Sequence, residues 1–169
     1  MAKNQKSKNK RNLTLPVIAA VVLVVALAVL VVPRGSAKEE VAETQSLTIP
    51  TTTITETASF YPVVIDGTEM EVLAIRTAQG EIRTAFNTCQ SCYTSGHGYY
   101  VTDGTELVCQ NCGFHFTAEE VGLEGRGGCN PWPIPALERT DTEENIQIPY
   151  SVLSSGKDIF SNWSKENAG

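Results

Sequence analysis

Several residue types are scarce or missing where a common class of protein would need them, and each absence excludes that class. None of the five cysteines precedes Cys89, so a lipid-modified N-terminal cysteine is excluded. Five is an odd number, so a disulfide framework cannot be completed within one chain. Neither C-x-x-C pair is followed directly by histidine, because Tyr93 and Gly113 occupy those positions, and a haem attachment motif is therefore excluded.

Charge is distributed unevenly along the 169 residues. Five of the 13 Lys and Arg lie within residues 1–12, whereas all 19 Asp and Glu lie at or after Glu39. The part of the chain beyond Pro33 is therefore strongly acidic. Such a surface repels phosphate backbones, so nucleic acid is not expected as a partner. It would attract cations or a basic protein, although a solvated surface accounts for the same composition.

A long apolar segment follows the basic N-terminus. Residues 17–32 are apolar without interruption, and 13–33 reaches the length of about 20 residues that spans the hydrocarbon core. We predict a transmembrane helix at 13–33 and a basic cytoplasmic tail at 1–12. Because positive charge stays in the cytoplasm, the protein is expected to be a single-pass protein of the cell membrane with its remainder outside. The alternative is a cleaved signal peptide, with Gly35-Ser36-Ala37 as its cleavage site.

The rest of the chain predicts a linker and one domain. Residues 34–57 are rich in threonine and lack helical periodicity, which indicates a linker that holds the domain off the bilayer. Residues 58–163 predict an exported cysteine-metal domain, followed by a short tail at 164–169. The domain is expected to be mainly β, a small β-rich α+β fold with rubredoxin-like or zinc-ribbon-like cysteine knuckles.

Individual elements follow from alternation and turn signals. Asp66-Gly67 and Asp103-Gly104 are hairpin signals between aromatic and β-branched segments. Strands are predicted at 60–65, 70–74, 82–86, 99–101, 106–108 and 146–148, with a turn at 150–153. Thr117-Ala-Glu-Glu120 predicts a capping box that opens a short helix. Phe160 and Trp163 are expected to pack against the domain.

All five cysteines lie between Asn87 and Pro135. They form two C-x-x-C pairs and one later single residue: Cys89, Cys92, Cys109, Cys112 and Cys129. A two-residue gap lets both sulfurs of a pair reach one ion from a tight turn, and two such turns complete a tetrathiolate metal site. Gly113, directly after the second pair, is typical of a knuckle whose backbone N–H groups donate to sulfur. Neither pair begins a helix, so a thioredoxin-like redox motif is not favoured.

The fifth cysteine and both histidines are further candidates. Cys129 follows Gly127-Gly128, which lets the backbone approach closely, so its sulfur is predicted to be a ligand or a neighbour of the metal. His97 and His115 each lie beside a cysteine pair and could ligate metal. Alternatively, His97 is simply a turn residue and His115 an exposed strand residue, and neither binds metal.

On these residues the sequence resembles the FtrD-like membrane iron–sulfur domain family. The matching segments are Cys89, Cys92, Gly98-Tyr99, Cys109-Gln-Asn-Cys112-Gly113 and Gly127-Gly128-Cys129-Asn130-Pro131. The resemblance covers Ala58 to Phe160. It implies an iron–sulfur cluster or an Fe(Cys)4 site in an exported, membrane-attached domain. Some members accompany ferrous-iron permeases, which implies a redox or iron-permease partner in the membrane.

Two functional interpretations result. The favoured one is a membrane-anchored, extracytoplasmic protein that binds iron through cysteine thiolates and transfers electrons in iron handling. No acid–base pair is evident in the sequence, so electron transfer or metal binding is favoured over catalysis. The alternative is a structural zinc ribbon, a binding module without a redox role, because the same four sulfurs accept zinc.

Overall fold

A computed structural model describes residues 43–122 and 128–165. The described residues all belong to one compact unit of the chain. The predicted cytoplasmic tail at 1–12 and the predicted transmembrane helix at 13–33 lie outside the described residues. Among the helices of 43–122 and 128–165, none is both long and apolar enough to cross a membrane.

An antiparallel four-stranded sheet forms the centre of the domain. Its strands are β2 (Ser59–Ile65), β3 (Thr68–Arg76), β4 (Ile82–Cys89) and β8 (Pro131–Ile134), in the order β2-β3-β4-β8. The first three form the predicted meander, with a turn at Asp66-Gly67 where both residues have positive φ. The sequence did not predict β8, because it contains two prolines and proline has no backbone N–H to donate to a neighbouring strand. An edge strand, however, tolerates proline.

A second, three-stranded antiparallel sheet carries the second cysteine pair. It consists of β5 (Tyr100–Asp103), β6 (Glu106–Cys109) and β7 (His115–Phe116), in that order. The hairpin predicted around Asp103-Gly104 is thereby confirmed. Cys109 is the last residue of β6, just as Cys89 is the last residue of β4. Both cysteine pairs therefore start at the end of a strand.

The third sheet corrects the predicted linker. It joins β1 (Ser46–Pro50), β10 (Asn145–Pro149) and β9 (Thr140–Asp141), and β1 lies inside residues 34–57. Ile49 is 0% and Ile54 is 3% exposed, so this segment belongs to the hydrophobic core. The domain therefore begins at least at β1 rather than near Ala58. Threonine and proline around the two isoleucines concealed a strand with few apolar residues.

The helical predictions were partly wrong. The turn predicted at 150–153 is the start of a short helix, α1 (Tyr150–Ser155), whose Leu153 is buried. The helix predicted after Thr117 is a single 3₁₀ turn at Ala118–Glu120, and its capping box is present. Phe160 is buried and Trp163 packs against the core, as predicted.

Apolar residues cover both faces of β3 and so form two core clusters. Val72 and Ala74 face a cluster shared with β1, β10 and α1, whereas Leu73 and Ile75 face a cluster shared with the β5-β6-β7 sheet. The second cluster also contains Cys89, Cys92 and Cys109. Since both faces are buried, β3 lacks the simple alternation of a half-exposed strand. These three cysteines therefore lie on one defined face of the central sheet.

Candidate metal centre

The first knuckle begins where β4 ends. Cys89 is 0% exposed, and its backbone N–H donates to Gly98 O at 2.7 Å. The turn closes through the N–H of Cys92, which donates to Cys89 O at 3.2 Å. A Cβ at Gly98 would lie 2.7 Å from the backbone carbon and oxygen of Cys92, so only glycine fits against this turn. The sequence thus forces a tight loop that presents both sulfurs on one side.

The second knuckle repeats this design at the end of β6. The N–H of Gly113 donates to Cys109 O at 2.8 Å, with Gly113 at a φ of +71°. The N–H of Cys109 donates to Phe114 O at 3.0 Å. In both knuckles, the backbone N–H groups two and three residues after the first cysteine donate to its sulfur and favour its thiolate form. The knuckle geometry expected from Gly113 is therefore present.

The segment around Cys129 is attached to the first knuckle. The N–H of Gln90 donates to Asn130 O at 3.0 Å, and the hydroxyl of Ser91 donates to Gly128 O. Gly128 has a φ of +75°, and a Cβ there would lie 2.6 Å from Ser91 Oγ. This contact is the close backbone approach expected of a glycine before Cys129, although Gly127 lies outside the described residues.

The five cysteine sulfurs lie close together in one cluster, which we call the nest. The Sγ atoms of Cys89, Cys92 and Cys109 lie within 4.8 Å of one another, and so do those of Cys92, Cys112 and Cys129. Cys92 belongs to both groups. All five cysteines are free rather than disulfide-bonded; Cys89, Cys92 and Cys109 are buried, Cys129 is half-buried and Cys112 is exposed. The nest therefore has a buried side and a side that faces solvent at Cys112.

Proximity shifts the pKa values of the thiols in opposite directions. The hydrogen bond with the Cys109 sulfur lowers the pKa of Cys89 to about 5, and the same contact together with burial raises the pKa of Cys109. Burial is the main cause that raises the pKa of Cys92, and it raises that of Cys129 to about 12. For Cys112, burial raises the pKa, but the Phe114 N–H and neighbouring sulfurs outweigh it and leave a net lowering. Thiols that compete for ionisation in this way can all ionise only beside a cation.

The two histidines lie apart from this nest. His97 is exposed in its turn, and its backbone N–H donates to Ser95 Oγ at 3.1 Å. His115 is also exposed, with Nδ1 2.8 Å from Glu106 Oε2. Within the described residues, neither imidazole joins a group of potential ligand atoms with the cysteines. Their candidacy as ligands therefore finds no support in the geometry.

Sequence reasoning missed two residues that organise the nest, Asn87 and Tyr100. Both are 0% exposed. The Asn87 side chain accepts from Tyr100 N–H at 2.7 Å and donates to Tyr100 O at 3.2 Å, which joins β4 to β5. It also donates to Glu71 Oε2 at 2.5 Å. An asparagine inside a buried strand is unusual, because its polar groups need partners, and that signal was available in the sequence.

The donor set fits a thiophilic metal ion or an iron–sulfur cluster. A tetrahedral ion with metal–sulfur bonds of about 2.3 Å separates its sulfurs by about 3.8 Å, so three sulfurs within 4.8 Å need little movement to share one ion. Soft thiolates select zinc, Cu(I) or iron–sulfur clusters. Fold and site together define a small, mainly β domain with a cysteine cluster that could hold a metal.

Comparison with known families gives a more specific assignment. A family model described as "Membrane iron-sulfur containing protein FtrD-like" matches residues 54–160, which is more than half of the chain. The protein therefore belongs to the FtrD-like family, as the sequence motifs indicated. The matched region begins at Ile54, inside the predicted linker and close to the end of β1. Neither the curated proteins nor the solved structures contain a match to the chain.

Proposed function

We propose that this protein is a membrane-anchored, extracytoplasmic iron–sulfur or iron–thiolate protein that transfers electrons in iron handling. The observation that carries the proposal is the nest of five free cysteines, built from two matched knuckles at the ends of β4 and β6. Membership of a family described as membrane iron–sulfur proteins supports iron and membrane attachment. A redox protein or an iron permease in the same membrane is the proposed partner.

Each part of the nest has a role in this function. Buried Cys89, Cys92 and Cys109 would hold the iron away from bulk water, and the backbone N–H groups of the knuckles would adjust its reduction potential. When bound, the iron would supply the one-electron chemistry. Exposed Cys112 gives electrons a short path between the site and a docked partner. Cys129 completes the nest on the same half-open side.

A structural zinc site is the second candidate. The short sulfur separations are compatible with it, because they suit a single tetrahedral ion of zinc as well as one of iron. Zinc has no redox chemistry and would hold the two knuckles together as a binding module. The metal content of the protein therefore separates the two functions.

Anaerobic purification of the full chain is expected to yield a coloured protein. Thiolate-to-iron charge-transfer bands should bleach on reduction, because the nest provides a complete thiolate environment for iron. Visible absorption, together with iron, zinc and acid-labile sulfide analysis, makes the measurement. A colourless protein with one equivalent of zinc, even after anaerobic reconstitution with iron and sulfide, would leave the structural zinc site as the function.

The topology can be tested separately from the metal. A periplasmic-type reporter fused after Gly169 is expected to be active, and a cytoplasmic reporter at the same place inactive, because positive charge lies wholly before the apolar segment at 13–33. The full-length protein should also stay with the membrane after a carbonate wash. Recovery of a shortened protein in the wash would indicate cleavage near Gly35-Ser36-Ala37 and contradict the anchor.

A further inference from the structure

Tyr100 lies between the segments that carry the cysteines. It is 0% exposed and stands directly opposite Cys109 in the β5-β6 ladder. Its hydroxyl donates a hydrogen bond to the backbone carbonyl of Cys129. A single side chain thus connects the second knuckle to the segment of the fifth cysteine.

Contacts that involve no cysteine fix the position of this hydroxyl. Both backbone polar groups of Tyr100 are bonded to the Asn87 side chain, at 2.7 and 3.2 Å. The ring packs edge-on against Phe116, with 5.7 Å between centroids. Asn87 is held in turn by Glu71. The hydroxyl is therefore placed at the Cys129 carbonyl by the surrounding fold.

The carbonyl of Cys129 accepts a second hydrogen bond, from the thiol of Cys89. Cys89 Sγ lies 3.3 Å from this oxygen. A cysteine that holds a metal does so as a thiolate, which can accept a hydrogen bond but cannot donate one. In the metal-bound protein, two acceptors would then lie side by side: the Cys89 sulfur and the Cys129 oxygen. The hydroxyl of Tyr100 is within hydrogen-bond reach of both, because it bonds the Cys129 oxygen and also the Cys89 sulfur.

We propose that Tyr100 is a positioning residue for the metal centre, whose hydroxyl holds the Cys129 carbonyl and supplies a hydrogen-bond donor beside the Cys89 sulfur. This inference rests on the proposed metal binding, but it does not depend on which metal binds or on electron transfer. Side chains that orient ligands in this way typically change metal affinity tenfold to a hundredfold when they are removed.

The test is Tyr100→Phe in the full chain, with zinc ions alone as the probe. Phenylalanine keeps the ring contact with Phe116 and removes only the hydroxyl. Zinc affinity, measured by competition with a chelator, is expected to fall by about tenfold or more. The metal-free variant should unfold at nearly the same denaturant concentration as its parent, because the ring contact with Phe116 and the bonds between Asn87 and the Tyr100 backbone remain, and the carbonyl of half-buried Cys129 can bond water instead. In the iron-loaded chain, the reduction potential should shift downward, since a thiolate without this donor stabilises the oxidised metal.

Tyr99→Phe is the matched control. Tyr99 is half-buried, and its ring packs edge-on against Trp163 with 6.3 Å between centroids. Zinc affinity is expected to be unchanged in this variant. Equal affinity of Tyr100→Phe and its parent would overturn the inference, as would a parallel loss of metal-free stability, which would make Tyr100 a purely structural residue. A parent chain that binds neither zinc nor iron would instead overturn the proposed function.

Discussion

Cys92→Ser is expected to abolish metal binding and to lower thermal stability more than any other single cysteine substitution. Cys92 is the cysteine whose sulfur belongs to both groups of three, so its loss breaks both. A serine hydroxyl has nearly the same size but is a poor ligand for a thiophilic metal. A bound metal adds its binding free energy to that of folding, so the loss of metal lowers the stability of the domain. Metal content per chain and thermal unfolding followed by circular dichroism make the measurement.

Cys129→Ser is the matched control for this prediction. Cys129 belongs to one of the two groups and is half-buried. The variant is expected to retain metal with an altered reduction potential or stability, because the two knuckles still provide four sulfurs. If Cys129→Ser loses metal as completely as Cys92→Ser, then Cys129 is a primary ligand. A centre formed only by the two C-x-x-C pairs would then be wrong.

Asn87→Ala is expected to destabilise the domain by about 3 kcal/mol or more, even without metal. The substitution leaves the N–H and carbonyl of Tyr100 unpaired in a buried position. It also removes a partner from the carboxylate of Glu71, which is 8% exposed. Each buried group that loses its hydrogen bond costs about 1–3 kcal/mol. Denaturant unfolding of the metal-free variant and its parent gives the difference in free energy.

Asn145→Ala controls for the loss of an asparagine from a strand. Asn145 is half-buried in β10, and its substitution is expected to change the free energy of unfolding by only about 0.5 kcal/mol. A loss at Asn87 as small as the loss at Asn145 would show that the bridge between β4 and β5 contributes little. Metal affinity measured on the same two variants would then show whether Asn87 affects the nest through Tyr100.

Local signals in the sequence were sufficient for much of this fold. The hairpins around Asp66-Gly67 and Asp103-Gly104 depend on neighbouring residues, and both were predicted. β1 and β8 were missed because their apolar residues are few and prolines interrupt them, so that pairing with distant strands decides their conformation. Propensity and alternation carry no information about such partners.

The same distinction applies to the site. C-x-x-C spacing is a local signal, and it predicted both knuckles. Gly113, directly after the second pair, is a local signal of the same kind. The meeting of Tyr100 with the Cys129 carbonyl is not local, because it requires β8 to pair beside β4 and β5 to lie against the same cysteines. Asn87 was overlooked for the same reason, since its partners lie in other strands.

The hydrogen bonds around Asn87 also bear on the order of folding. Trp163 Nε1 donates to Asn87 O across a sequence separation of 76 residues, and Lys165 Nζ bonds Glu71 Oε2 across 94. Chains are synthesised from the N-terminus, so Trp163 and Lys165 appear after every cysteine. Contacts of such high sequence separation form late, because a long loop must close first. The hydrogen bonds from Trp163 and Lys165 to Asn87 and Glu71 can therefore form only after all five cysteines have been synthesised.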